Sequence, residues 1–179
     1  CPQCHDLPLR FCGVTRLGSY EGLLRLAVLR IKKPHERAIA VTLGDLLAEV
    51  VAAQPDQQNF DVIVPIPMHW TRRAWRGSNS AETIASRLAE RLRLPLAPEL
   101  LARRRRTAPQ ANLSPGRRRA NVKGAFRARP HADLAGAKVL LVDDILTTGA
   151  TLNEAGKTLT KAGAADVWVA VLARAEGLA

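Results

Sequence analysis

Stretches of consecutive apolar residues alternate along the chain with stretches in which apolar residues recur every three or four positions. The consecutive runs predict strands buried on both faces of a sheet at residues 61–65, 139–142 and 166–172. The spaced pattern predicts helices at residues 20–33, 36–53, 80–92 and 152–162. This alternation predicts an α/β fold, with a mainly parallel, twisted sheet flanked by helices and joined by right-handed crossovers.

The segment 138–153 places its polar residues between a buried strand and a helix. Two carboxylates, Asp143 and Asp144, follow the apolar run directly. A short polar turn then leads into the helix and consists of Thr147, Thr148, Gly149, Ala150 and Thr151. Open α/β sheets bind ligands at the carboxyl ends of their strands, so we predict a ligand-binding turn here.

The residue types in this turn favour a sugar phosphate. A helix N-terminus offers unpaired N–H groups and partial positive charge to a phosphate, and Gly149 allows close backbone approach. Asp143 and Asp144 accept hydrogen bonds only, which suits a ribose 2′,3′-diol. The alternatives are an ordinary helix cap, which needs one polar side chain rather than five, and a P-loop, whose Gly-Lys-Ser/Thr ending is absent.

Length and composition predict one soluble, cytoplasmic domain with a small appendage. The chain has 179 residues, of which 47% are hydrophobic, and no apolar run is long enough to span a bilayer. We also find no signal-peptide pattern. Residues 1–19 are predicted to be a remnant or degenerate zinc-knuckle segment, and residues 20–179 the main domain.

Positive charge is concentrated in one block. The chain has 27 Lys and Arg against 16 Asp and Glu, a net charge of +11. Residues 103–129 contain nine arginines, Lys123 and no acid. Such a block predicts a solvated, disordered or anion-binding segment. Because Pro109, Asn112, Pro115 and Gly116 interrupt regular structure, we predict a mobile loop of roughly 15 residues that acts as a lid.

The cysteines suggest a zinc knuckle that lacks a ligand. A structural zinc site wants four ligands, and the chain has only Cys1, Cys4 and Cys12. Thr15 stands where a second Cys-x-x-Cys would end and is a poor zinc ligand. Two interpretations follow: a decayed or truncated knuckle, or a site completed by another ligand. A disulfide is less favoured in a reducing compartment.

A second loop rich in cations follows the predicted strand 61–65. It contains Arg72, Arg73 and Arg76, together with His69, Trp70 and Trp75. If this loop lies beside the Asp143 turn, its arginines would meet another anionic part of the ligand. The alternative is a surface loop with a buried tryptophan.

The sequence VLLVDDILTTGAT resembles the phosphoribosyl pyrophosphate (PRPP) loop of type I phosphoribosyltransferases. Nearly the whole chain is similar to the ComF/GntX family of competence-associated proteins, through an N-terminal Cys-x-x-Cys, Tyr-x-Gly-x-Leu, VPIP, Arg-Gly-x-Asn, Thr-x-x-Gln and Arg-x-x-Asn. The matching positions are Arg72, Arg76, Gly77, Asn79, Thr107, Gln110, Arg118 and Asn121. Ser78 and Ser80 depart from the family's usual aromatic and glutamine, and Thr15 from its fourth cysteine.

The resemblance implies a type I phosphoribosyltransferase-like fold that transfers a phosphoribosyl group from PRPP to an unidentified acceptor and releases pyrophosphate. The catalytic residues would be Asp143, Asp144, Arg76, Gln110 and Arg118. PRPP, with Mg²⁺, would be bound by Asp143, Asp144, Thr147, Thr148, Gly149, Ala150, Thr151, Arg72 and Arg76. Zn²⁺ would be held by Cys1, Cys4 and Cys12.

Two other functions stay open in the same competence and DNA-uptake context. One is a PRPP-binding protein without catalysis, which acts through a partner such as a DNA-uptake protein. The other is a single-stranded DNA-binding protein that uses the arginines of residues 103–106 and 117–119. No insertion into a membrane is expected.

Overall fold

The computed structural model describes residues 9–33, 35–54, 59–69, 79–105, 107–108, 113–129 and 134–175. In this part of the chain the strands are β1 (Gly13–Ser19), β2 (Val62–Pro65), β3 (Leu101–Arg103), β4 (Phe126–Ala128), β5 (Lys138–Leu146) and β6 (Asp166–Arg174). The helices are α1 (Gly22–Arg30), α2 (Arg37–Ala52), α3 (Ser80–Leu92), α4 (Pro115–Val122) and α5 (Ala150–Lys161). The strands and helices predicted from the apolar pattern are all present, with some ends shifted. None of the helices in the described ranges is both long and apolar enough to cross a lipid bilayer.

The main sheet has four strands in the order β1-β6-β5-β2. Every pair is parallel, with Leu140 of β5 opposite Ile63 on one side and Trp168 on the other. The predicted parallel sheet is therefore confirmed. Because all strands run the same way, the residues that follow them meet at one edge, where open α/β sheets bind ligands.

Helices cover both faces of this sheet, and alternate residues of β5 supply the two cores. Val139 and Leu141 belong to one core, which also contains Leu152 and Leu159 of α5. Leu140 and Val142 belong to the core beneath α1, α2 and α3. All four β5 side chains are fully buried, which is why this strand reads as a continuous apolar run.

Strand β5 is longer than the apolar run that predicted it. The apolar run predicted a strand only to Val142, and the strand in the structure continues through both aspartates. Asp143 pairs with Val171, and the ladder continues to Leu146 opposite Arg174. Pairing with β6 holds these polar residues in extended conformation, so both carboxylates stand on a strand.

The apolar pattern did not predict β1. This strand lies in the segment assigned to a zinc knuckle, and it is an outer strand of the main sheet. Trp168 of β6 packs so closely on Gly13 that an added Cβ would lie 2.2 Å from its ring. The Trp168 indole N–H donates to the Thr15 hydroxyl at 3.1 Å, and that hydroxyl donates to Gln54 Oε1 at 3.3 Å. Thr15 is thus a buried, hydrogen-bonded residue of the sheet.

The described residues between 100 and 129 form a flap that combines the antiparallel pair β3 and β4 with α4. Strand β4 pairs with β3, with Phe126 opposite Arg103. The prediction that Pro115 and Gly116 prevent regular structure is wrong, because both lie in α4. Proline suits the first helical turn, where its missing N–H has no intrahelical acceptor and its fixed φ is already helical.

Candidate functional site

The turn between β5 and α5 brings together the five residues predicted to hold a phosphate. Gly149 is the N-cap residue and has φ of +70°, a left-handed conformation that favours glycine. The first helical hydrogen bond runs from the Asn153 N–H to the Gly149 carbonyl. The first N–H groups of an α-helix generally lack an acceptor within the helix, so this turn is suited to bind an anion.

Asp143 and Asp144 stand immediately before this turn, and both are half-buried. The Asp144 N–H donates to Asp143 Oδ1 at 2.8 Å. Oδ2 of Asp144 accepts a hydrogen bond from Ser80 Oγ at 3.2 Å and lies 3.4 Å from Lys32 Nζ. Asp144 therefore joins the strand to the first residue of α3 and to the turn between α1 and α2.

The two carboxylates differ in their protonation behaviour. Burial, together with the charge of Asp144, raises the pKa of Asp143 from 3.8 to about 7. The Asp144 N–H and the positive charges of Lys32 and Arg103 oppose this rise. Asp143 thus titrates near neutral pH, which is typical of groups at ligand sites.

Asn79 joins the two ends of the cation-rich loop that follows β2, next to Asp144. It is buried, its side-chain oxygen accepts from the Ala81 N–H at 3.3 Å, and its amide donates to the Ile66 carbonyl at 3.1 Å. The Ile66 N–H in turn donates to the Val142 carbonyl at 2.8 Å. The structure thus brings the ends of this loop to the carboxylate pair. Arg72, Arg73, Arg76 and Gly77 lie outside the described residues.

Three of the four family-motif residues in the flap hold its backbone together. Thr107 is buried and accepts from Arg103 Nη2 at 2.5 Å. The Asn121 amide bonds both the N–H and the carbonyl of Ala108, at 3.1 and 3.0 Å. Arg118, which was predicted to be catalytic, is 8% exposed, and its Nε donates to the Leu113 carbonyl at 2.8 Å. These contacts join the two sides of the flap. Gln110 lies outside the described residues, and the catalytic role of Arg118 stays a prediction.

The flap packs against α5, the helix that follows the turn after β5. Leu101 and Phe126 share a core with Leu152 of α5, and the Gly124 N–H donates to Glu154 Oε1 at 2.8 Å. At the base of the flap, the Arg103 guanidinium lies 5.3 Å from the Phe126 ring centroid. The flap is therefore anchored beside the carboxylates.

The described part of the predicted zinc segment consists of Leu9 to Ser19, and Cys1 and Cys4 lie outside it. Cys12 is exposed, and its thiol donates to Asp166 Oδ1 at 3.3 Å. Desolvation and this hydrogen bond raise the pKa of the Cys12 thiol, which disfavours the thiolate that zinc requires. Within the described ranges no three His, Cys, Asp or Glu residues cluster as metal ligands. The zinc site stays a prediction.

Sequence reasoning missed two residues that touch Asp144. Lys32 follows α1, and its contact depends on how the turn 31–36 folds back toward the sheet. Ser80 was noted only as a departure from the usual glutamine. No local pattern in the sequence marks either residue as a neighbour of β5.

The parallel sheet, the paired acids at a strand end and the glycine-capped turn define a domain of the phosphoribosyltransferase class. The model of the phosphoribosyl transferase domain matches residues 33–177. The chain therefore belongs to that family and, within it, to the group of competence protein F, as its motifs predicted.

The relatives and a solved structure agree with this assignment. The chain is 35% identical over 179 residues to competence protein F of Haemophilus influenzae, covering 98% of this chain and 78% of that protein. It is 34% identical over 178 residues to DNA utilization protein YhgH of Salmonella typhimurium, covering 97% and 77%. A glutamine PRPP amidotransferase from B. subtilis, complexed with ADP and GMP, superposes with a TM-score of 0.50 and 22% identity over 76% of this chain and 26% of that one. This last likeness confirms the type I fold.

Proposed function

We propose that the protein binds PRPP at the carboxyl ends of the strands, in the turn between β5 and α5. The observation that carries this proposal is the continuity of two half-buried carboxylates with the amino end of a glycine-capped helix. The 5′-phosphate would accept from the first N–H groups of α5, and the ribose diol would donate to Asp143 and Asp144. Thr147, Thr148 and Thr151 would add hydroxyl donors.

The pyrophosphate of PRPP would extend toward the loop that Asn79 closes. That loop contributes Arg72 and Arg76, whose forked guanidinium groups suit phosphate oxygens. Mg²⁺ fits this site, because hard cations prefer oxygen ligands and two adjacent carboxylates repel one another without a cation or donor. When bound with PRPP, the ion would neutralise charge on the pyrophosphate. Asp143 and Asp144 are the described residues that would hold such an ion.

The reaction that this arrangement supports is phosphoribosyl transfer to an unidentified acceptor. The bond from ribose C1 to the pyrophosphate oxygen breaks and its electron pair leaves with pyrophosphate, while an acceptor lone pair forms the new bond to C1. Positive charge develops on the ribosyl ring, and the two carboxylates stabilise it electrostatically. The flap would close over the site and exclude water, with Gln110 and Arg118 in it. Release of pyrophosphate distinguishes this function from PRPP binding without catalysis.

Affinity for PRPP is expected to rise about tenfold between roughly pH 6 and pH 8, because the pKa of Asp143 is raised to about 7. Below that value the carboxyl is protonated and loses acceptor capacity, so binding weakens as the pH falls. Calorimetry at several pH values measures the effect. Asp143→Asn is the control, since it retains the titration of the ligand's own phosphates. Equal pH dependence in both proteins would contradict the role of Asp143.

Single-stranded DNA binding is a second candidate function, and the surface of the flap favours it. The sequence has no acid between residues 103 and 129. In the described part of the flap seven basic side chains are exposed: Arg104, Arg105, Arg117, Arg119, Lys123, Arg127 and Arg129. Relatives of this chain are named DNA utilization proteins. An exposed surface with one sign of charge suits a phosphate backbone.

Replacing both Arg117 and Arg119 with Ala is expected to weaken binding of labelled single-stranded DNA. If both side chains contact phosphates, the slope of log K against log salt should shrink by about 1.4. The matched control is Lys33→Ala with Arg37→Ala, which removes the same charge from exposed positions outside the flap. An equal loss in both double variants would show that only net charge matters.

A further inference from the structure

Lys32 places a cation at the mouth of the candidate PRPP site. Its Nζ lies 3.4 Å from Asp144 Oδ2, and the two side chains are 31% and 13% exposed. The neighbouring Ile31 is buried at 4% exposure and fixes the start of the turn between α1 and α2. A long, flexible side chain with an anchored backbone can therefore reach Asp144 and still move.

The surroundings of the carboxylate pair contain two cations of different mobility. Lys32 comes from the turn before α2, and Arg103 comes from β3; both charges act on Asp143. Arg103 is held by its hydrogen bond to Thr107 and its position over the Phe126 ring. Among the described residues, Lys32 is ion-paired with Asp144, whose Oδ2 also accepts from the Ser80 hydroxyl. Of these two cations, Lys32 is the one that can change partners.

Binding of a ribose diol would alter this ion pair. Lys32 and Ser80 both contact Oδ2 of Asp144, so a ribose hydroxyl that donates to this oxygen competes with them. An ammonium displaced in this way would remain close to the ribose. In PRPP the pyrophosphate is attached to the carbon next to the 2′-hydroxyl, so a strong anion lies within reach of the displaced side chain.

We propose that Lys32 is a ligand-binding residue of the PRPP site, which pairs with Asp144 in the structure and transfers to the pyrophosphate when the ribose diol occupies Asp144. This inference rests on the proposed function. It assigns to the turn between α1 and α2 a part in recognising the pyrophosphate, in addition to the loop that Asn79 closes.

The inference is tested with Lys32→Met, which removes the charge and keeps a long apolar side chain. Its matched control is Lys33→Met, the same change at the next, exposed position. Calorimetry with PRPP and Mg²⁺ should show a Kd about tenfold higher for Lys32→Met than for the unmodified protein, and an unchanged Kd for Lys33→Met. Ribose 5-phosphate, which lacks the pyrophosphate, should lose less than about threefold. Lys32→Arg should recover most of the PRPP affinity.

The possible results separate the two claims. If the unmodified protein binds PRPP and Lys32→Met binds it equally well or more tightly, this inference is overturned while the proposed function stands. Equal losses for PRPP and ribose 5-phosphate also overturn it, since Lys32 would then act on the ribose end. If the unmodified protein does not bind PRPP, the proposed function fails and this inference fails with it. Thermal melting and recovery by Lys32→Arg distinguish a folding defect from loss of the charge.

Discussion

Replacing Asp143 and Asp144 together by Asn is expected to weaken PRPP binding at least 100-fold and to abolish any pyrophosphate release. The amides keep the size of the carboxylates, but they lose charge and half of their acceptor capacity. Two charge-assisted hydrogen bonds to the diol would be lost, each of about 1.5–3 kcal/mol. Calorimetry with PRPP and Mg²⁺ measures the affinity, and circular dichroism verifies the fold.

The fold should tolerate this change. Asp143 has a pKa of about 7, so the neutral form is already half-populated at neutral pH. The matched control is Asp61→Asn with Asp166→Asn. These exposed carboxylates lie at the amino ends of β2 and β6, whereas the candidate site lies at the carboxyl ends of the strands. It makes the same change in net charge and should leave PRPP affinity unchanged. A simple charge effect would instead make both double variants bind the anionic ligand more tightly, and that outcome would refute the assignment of the diol.

Replacing Gly149 with Val is expected to reduce PRPP affinity at least 50-fold and to lower the stability of the protein by about 1–3 kcal/mol. Gly149 has φ of +70°, where a β-branched residue is strained, and an added Cβ would lie 3.4 Å from Leu146 Cδ1. Relief of this strain would rotate the turn and move the first N–H groups of α5 away from the phosphate. Thermal melting and PRPP calorimetry measure the two effects.

Gly136→Val is the control that distinguishes the effect of backbone strain from the disruption of the turn before α5. Gly136 has φ of +74° and no atom within 4 Å of an added Cβ, and it precedes β5 at the opposite edge of the sheet. This control should lose comparable stability while PRPP affinity is retained. If Gly149→Val and Gly136→Val bind PRPP equally well, the turn before α5 does not hold the phosphate.

The sequence predicted the centre of the fold well, because burial on both faces leaves an unmistakable pattern. Strand β5 shows it clearly, with fully buried side chains from Val139 to Val142. Helix α3 was predicted with the bounds that the structure shows, Ser80–Leu92. The turn before α5 was recognisable because its glycine and threonines stand close together in the sequence.

The edges of the fold were harder to predict, because tertiary contacts decide them. Strand β1 has only one buried side chain, Thr15, and so lacks an apolar run. Helix α4 has few apolar residues, and contacts such as the Arg105 bonds to the carbonyls of Asn121 and Lys123 help to end it. The pairing of Lys32 with Asp144 joins distant parts of the chain, and periodicity does not report such contacts.

Three residues that match the family motifs make their described contacts within the flap. Thr107, Arg118 and Asn121 were singled out as functional by resemblance, and their described contacts are to the flap itself. Such contacts are typical of positioning residues, and the catalytic role of Arg118 stays a prediction. Such residues act on a ligand through the shape of the loop rather than by touching the ligand.

The central claim is that the paired acids and the turn before α5 grip a ribose 5-phosphate unit. Calorimetric titration of the unmodified protein with PRPP and Mg²⁺ at about pH 8 tests it most directly. We expect one ligand per chain, a Kd below about 1 mM, and competition by ribose 5-phosphate. Folded protein that shows no binding of PRPP up to several times that concentration would contradict the account.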